Sequence, residues 1–186
     1  MSRYSASKEM VMLDAETLGT NVFTAPMISL GAVKFLSDGT ITERFKVNIS
    51  PQDLIKNYGF KAEKATVEWW KQQSPEAIAS LQDNQQDLET AMSLFLEWYG
   101  DKSLRTWANG IDFDFPLLKA HLAAVDKSIP WKYWDQADYR TVCSIFDVNN
   151  KVMRSASSDT YHDAVADCIG QVEILTTILK PLWVGE

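Results

Sequence analysis

The sequence predicts an α/β domain built on a mixed sheet, and three observations carry that reading. Two β-like runs, "MISLGAVKFL" and "ITERFKVNI", are joined by "SDGT", and Asp-Gly between such runs is a strong hairpin signal. A short run, "LRTWA", stands alone between helical segments. Helical periodicity then dominates the second half of the chain. Three strands, helices, one strand and helices again describe an antiparallel meander followed by a strand joined through crossover helices.

The first strand is the apolar run at residues 10–13, followed by the two hairpin strands. "TVEWWKQQ" reads as a short helix, and in "SPEAIASL" Ser74 can cap while Pro75 takes the first helical position. "DLETAMSLFLEWYG" repeats its apolar residues at helical spacing and stops at Gly100. After "LRTWA", "FPLLKAHLAAV" carries Pro116 in its first turn, with His121 read as a surface residue. "DYRTVCSIFDV" and the long "HDAVADCIGQVEILTTILK" complete the helices, and "NNKVMRSASSDTY", residues 149–161, reads as a mobile loop.

The chain has 186 residues, enough for a single domain over 1–186 with a core spanning about 10–180. A hydrophobic fraction of 46% with 23% charged residues is that of a globular protein. The start is polar and no run approaches a membrane span, so the expectation is a cytoplasmic protein without a membrane partner. Cys143 and Cys168 fall in helical segments and read as reduced core thiols. A net charge of −7 argues against coating nucleic acid through a basic face. It leaves room for an enzyme whose carboxylates hold divalent metals that meet the phosphate.

The acidic residues cluster at element ends. Asp14 and Glu16 end the first strand, and two residues apart on an extended chain they share one side. They either face water in a turn or have something positive between them. "WANGIDFDFPLL" sets Asp112 and Asp114 between a strand and a helix, where either can cap the helix. "YHDAVAD" places His162, Asp163 and Asp167 where the last helix opens. Asp163 and Asp167, four apart, share a helix face. His162 and Asp167 would diverge by about 140° on a regular helix, so His162 joins Asp167 only from the approach to that helix.

That ordered set resembles the DEDDh group of DnaQ-like 3′-to-5′ exonucleases, whose fold is RNase H-like. The resemblance runs from about Met10 to Leu179. Its first motif appears as Asp14, Ala15, Glu16, Thr17, its second as "NGIDFD" with Asp114 rather than Asp112 as the catalytic carboxylate, and its third as His162 and Asp167. "TVEWWKQQSPEA", "WANGIDFD" and "IPWKYWDQADYRTV" look like the branch that includes phage exonuclease A-like and bacterial exoribonuclease-like proteins.

The resemblance implies a catalytic set of Asp14, Glu16, Asp114, His162 and Asp167. Phosphodiester hydrolysis needs an activated water, stabilised phosphoryl charge and help for the leaving oxygen, and two divalent ions can provide all three. Hard cations want oxygen ligands, so Mg²⁺ or Mn²⁺ is expected. Asp14 would bridge both ions, Glu16 and Asp167 would complete the nucleophile site, and Asp114 would hold the second ion directly or through water. His162 would be the general base, with an ordinary pKa near 6.5.

The expected substrate is the 3′ end of single-stranded DNA or RNA. The motif neighbours Thr17, Leu18, Asn109 and Phe113 are expected to line it, and Trp69 or Trp70 to stack on a base, one of the pair being core. Lys151, Arg154 and Arg140 are candidate phosphate contacts. Seven tryptophans leave room for a homodimer interface. The competing reading is a non-catalytic nucleic-acid or protein-binding module that retains the fold. It would be expected to have lost a carboxylate or the histidine.

Overall fold

The computed structural model describes residues 8–148 and 163–183. Its centre is a five-stranded sheet in the order β3-β2-β1-β4-β5. β1 (Met10–Thr17), β2 (Met27–Phe35) and β3 (Ile41–Asn48) form the expected antiparallel meander. β4 (Arg105–Ala108) lies parallel to β1, and β5 (Gln136–Asp138) lies parallel to β4. The turn between β2 and β3 has Gly39 at φ +93°, a conformation that suits glycine, and Asp38 accepts from the Thr40 amide.

The helices are α1 (Pro51–Tyr58), α2 (Lys64–Trp70), α3 (Pro75–Gln82), α4 (Leu88–Tyr99), α5 (Asp114–Ala123), α6 (Tyr139–Ile145) and α7 (Ala164–Trp183). Ser74 caps α3 and Asp87 caps α4 through their side-chain oxygens, as N-cap residues do. Among the strands and α-helices, two escape the sequence reading. α1 carries the same Ser-Pro opening as α3, with Ser50 accepting from Asp53. β5 is only three residues long, too short to show an alternation.

Each face of the sheet buries its own core. Val11 and Leu13 point to one face, against Phe95, Tyr99, Phe115 and Leu118 from α4 and α5. Met10 and Met12 point to the other, against Cys168, Val172 and Leu175 of α7 and Cys143 of α6. Burying both faces leaves every residue of β2 buried, Ser29 and Lys34 included.

His121 is fully buried, contrary to the expectation of a surface site. Its Nε2 accepts from the Met27 amide at 2.9 Å, its Nδ1 pairs with the Leu117 carbonyl at 2.8 Å, and its ring stacks on Phe60 at 4.1 Å. Those partners fix the neutral ring with its proton on Nδ1. Burial pushes its pKa down to about 4. No helix among the described residues is long and apolar enough to cross a membrane.

Candidate metal centre

The alternation of β1 continues past its apolar half. Asp14 and Glu16 follow Met10 and Met12 onto the α7 side, while Ala15 packs with Val11 and Leu13 on the other. The strand is longer than the expected 10–13, because Asp14 pairs with Gly31 and Glu16 with Ser29 across β2. The two carboxylates are therefore held on a paired strand and not in a turn.

α7 brings the third carboxylate. Cys168, Val172, Leu175 and Leu179 form its sheet-facing stripe, and Asp167 stands beside that stripe one turn from the helix start. Gly31 permits the approach: a Cβ there would lie 2.5 Å from the Ala164 carbonyl carbon and 2.7 Å from the Val165 nitrogen. With nothing in the way, the helix start rests on the strand directly beside Asp14. Ligand atoms of Asp14, Glu16 and Asp167 lie within 4.8 Å of one another.

Asp163 and Asp167 do not share a helix face. Asp163 precedes the helix and caps it, its Oδ1 accepting from the Val165 and Ala166 amides. Its Oδ2 meets Lys46 of β3 at 2.5 Å, and Lys46 also reaches Ser80. Burial raises the Asp163 carboxyl, but the Lys46 contact and the amides outweigh that and hold it below the usual range. The cap, the edge strand and α3 are thereby tied together.

Asp114 enters from the chain that follows β4, the parallel neighbour of β1, and the Ala15 amide donates to its carboxyl. It is buried at the start of α5, 4% exposed, while Asp112 is exposed. It does not act as the side-chain cap of α5, since Phe113 holds the cap position and makes no side-chain cap bond. Burial, then the charge of Asp14, push its carboxyl well above the usual range, although the Ala15 amide opposes the shift. Glu16 is pushed up to about 8, first by burial and then by Asp14 and Asp167, with Lys46 opposing. At the observed spacing an ionised carboxylate pair costs on the order of 3 kcal/mol for an effective dielectric near 20. Oxygen donors that converge and repel in this way suit hard divalent cations, so the residues present fit such ions.

Gln171, one turn beyond Asp167, is fully buried and donates from Nε2 to Asp14 Oδ1 at 3.0 Å. The sequence reading missed it, and its one signal is the i+4 spacing from Asp167. Gly31 and Lys46 gave no local signal at all.

The expected substrate residues separate into groups. Trp70 is core, its Nε1 donating to the Thr17 carbonyl at 2.8 Å, while Trp69 is 41% exposed and stands edge-on to it. Leu18 packs with Ile28, Trp70 and Leu81. These residues, with Val67 and Ile78, line a cleft of about 420 Å³ beside the end of β1. Thr17 is buried and donates to the Gly19 carbonyl, and Phe113 packs on the α4/α5 core. Asn109 and Arg140 are in contact, the Asn109 carbonyl accepting from the guanidinium. His162, Lys151, Arg154 and the loop at 149–161 lie outside the described residues.

The sequence matches the family described as the 3′-5′ exoribonuclease Rv2179c-like domain over residues 9–179. An exodeoxyribonuclease of Enterobacteria phage T4 is 25% identical over 202 residues, covering 91% of this chain and 88% of that protein. Among solved structures, the zinc-bound E. coli exonuclease I complex with single-stranded DNA superposes with a TM-score of 0.70 at 12% identity. That match covers 94% of this chain but 41% of exonuclease I. Exonuclease I with a dT13 oligonucleotide gives 0.71 at 12% identity, covering 93% and 41%. At that identity the likeness speaks for the fold, which is RNase H-like, of the DnaQ type.

Proposed function

Because the chain belongs to the 3′-5′ exoribonuclease Rv2179c-like domain family, we propose that it acts as one exonuclease domain dependent on two divalent ions, Mg²⁺ or Mn²⁺. It removes nucleoside 5′-monophosphates from the 3′ ends of single-stranded DNA or RNA. The observation that carries this reading is the convergence of Asp14, Glu16 and Asp167, with buried Asp114 behind them. A binding module that had abandoned catalysis would have no need to keep four mutually repelling carboxylates together.

Asp14, Glu16 and Asp167 would hold one ion, with Asp14 and Asp114 facing the other. When bound, such ions polarise the phosphodiester, lower the pKa of the attacking water and stabilise the departing 3′ oxygen. The chain's own groups do the rest. His162, adjoining the α7 cap Asp163 in sequence, takes the water's proton. Gln171 holds the Asp14 carboxylate in one orientation. Leu18 and the exposed Trp69 border the terminal nucleotide and offer apolar faces to its base without sequence preference.

The test is cleavage of a single-stranded oligonucleotide in EDTA and after Mn²⁺ or Mg²⁺ is returned. Activity should vanish and come back, and Asp14→Ala should stay inactive with either ion. Full activity in EDTA would overturn the reading.

A further inference from the structure

We propose that Arg140, laid across Gly110, is a fixed phosphate-binding site for the nucleic-acid strand. The inference rests on the nuclease reading above and adds a subsite to it. Leu13 pairs with Ala108 and Ala108 with Asp138, so one row crosses β1, β4 and β5. The chain steps past that row to Asp14 on β1, to Asn109 and Gly110 after β4, and to Tyr139 and Arg140 after β5. The metal-facing carboxylate and the guanidinium thus emerge along one rim of the sheet, with neighbouring strands about 4.8 Å apart.

The guanidinium is held in place there. A Cβ on Gly110 would lie 2.8 Å from Arg140 Nη2 and 2.9 Å from Cζ, so only a glycine lets the planar group rest on the backbone. Gly110 also sits at φ +104°, where other residues are strained. Arg140 Nη2 donates to the Asn109 carbonyl at 2.8 Å. Asp138, two residues away, is occupied otherwise: its Oδ1 accepts from the Gly110 amide and its Oδ2 from the Thr141 hydroxyl. Arg140 is exposed and forms no salt bridge among the described residues, in a chain of net charge −7. Guanidinium carries five N–H donors in a planar fork that matches a phosphate. One donor is spent on Asn109, which fixes the plane, and the exposed remainder faces the rim along which an incoming strand must pass.

The experiment compares the parent with Arg140→Ala, Arg140→Lys and Gly110→Ala, using steady-state cleavage and anisotropy of a labelled single-stranded oligonucleotide over a salt series. Arg140→Ala should raise KM about tenfold with kcat within about twofold, the loss expected for one charged hydrogen-bonded contact. The slope of log affinity against log salt should shrink by about 0.7, the amount for one phosphate on a single strand. Arg140→Lys should recover the salt slope but only part of KM, because the charge returns without the fork. Gly110→Ala keeps the charge and displaces it, so KM should rise while an unchanged Mn²⁺-induced melting shift confirms an intact metal site. If Arg140→Ala changes neither KM nor the salt slope in an active parent, the phosphate site is overturned while the nuclease reading stands. A parent that binds the oligonucleotide through Arg140 but never cleaves it would overturn the nuclease reading and keep the site. A loss confined to kcat would also overturn the phosphate site.

Discussion

Gln171 Nε2 lies 3.0 Å from Asp14 Oδ1, so α7 donates a hydrogen bond to the carboxylate at the centre of the cluster. Asp167, one turn earlier on the same helix, offers its own oxygen to that cluster. One helix therefore supplies both a ligand and the group that orients a ligand, and Gly31 sets how closely it approaches.

Replacing Gln171 by Leu should weaken Mn²⁺ binding about 10- to 100-fold, the usual cost of losing a group that orients a metal ligand. Calorimetric titration with Mn²⁺ measures it. The metal-free melting temperature should change little by comparison, because Leu fills most of the same buried volume. An unchanged Mn²⁺ affinity would make the Gln171 contact incidental.

Gly31→Ala should push α7 off β2, since the added carbon would overlap the Ala164 backbone. Overpacking of this kind costs about 1 to 3 kcal/mol, and thermal melting reads it. The same variant should lose most of its Mn²⁺-induced melting shift, because Asp167 moves with the helix. A destabilised variant with a full Mn²⁺ shift would show that Asp167 is placed by something other than this contact.

His162→Ala should reduce the cleavage rate about 10² to 10⁴-fold while leaving Mn²⁺ affinity largely intact, as expected for a general base. Single-turnover cleavage and Mn²⁺ titration on the same preparation separate the two. A loss of metal affinity as severe as that of Asp14→Ala would make His162 a ligand.

The metal-free protein should lose stability as pH rises from 6.5 to 8.5. Glu16 is held up at about 8 when folded, against 4.5 for an ordinary glutamate. Its protonated form therefore lends stability that is complete below pH 4.5 and is lost as pH climbs through 8. His121 opposes this slope at the lower end of the window, where the unfolded ring, at an ordinary 6.5, is half protonated and the folded ring, at about 4, is neutral, and the opposition fades above pH 7.5. Most of its effect falls lower, where stability drops as pH decreases from 6.5 towards 4. Melting curves across pH 6.5 to 8.5 should show this slope without metal, and Glu16→Gln should reduce it, the Asp114 carboxyl, also raised by burial and by Asp14, contributing in the same direction. Saturating Mn²⁺ should remove it as well, since the bound form holds the carboxylate ionised.

Much of this site was legible in the sequence because its signals are local. The spacing of Asp14 and Glu16 forces them to one side of an extended strand, and β1 places that side against α7. Ser74-Pro75 and Gly100 marked helix ends through backbone chemistry that acts within a single turn. What the sequence hid depends on contacts between distant segments. Gly31 matters only because Ala164 arrives above it, and Lys46 only because Asp163 does. His121 sits on a helix and carries a polar ring, yet it is core because the Met27 amide and Phe60 meet it there. α1 was a different kind of miss, since Ser50-Pro51 opens it just as Ser74-Pro75 opens α3.

The central claim, a metal-dependent exonuclease that works from the 3′ end, is tested most directly by the polarity of digestion. A single-stranded oligonucleotide labelled at its 5′ end should shorten with Mn²⁺ into a ladder that keeps the label until last. The same strand blocked by a 3′ phosphate, and a single-stranded circle, should resist. Early release of the label as a mononucleotide, or efficient cutting of the circle, would contradict the account.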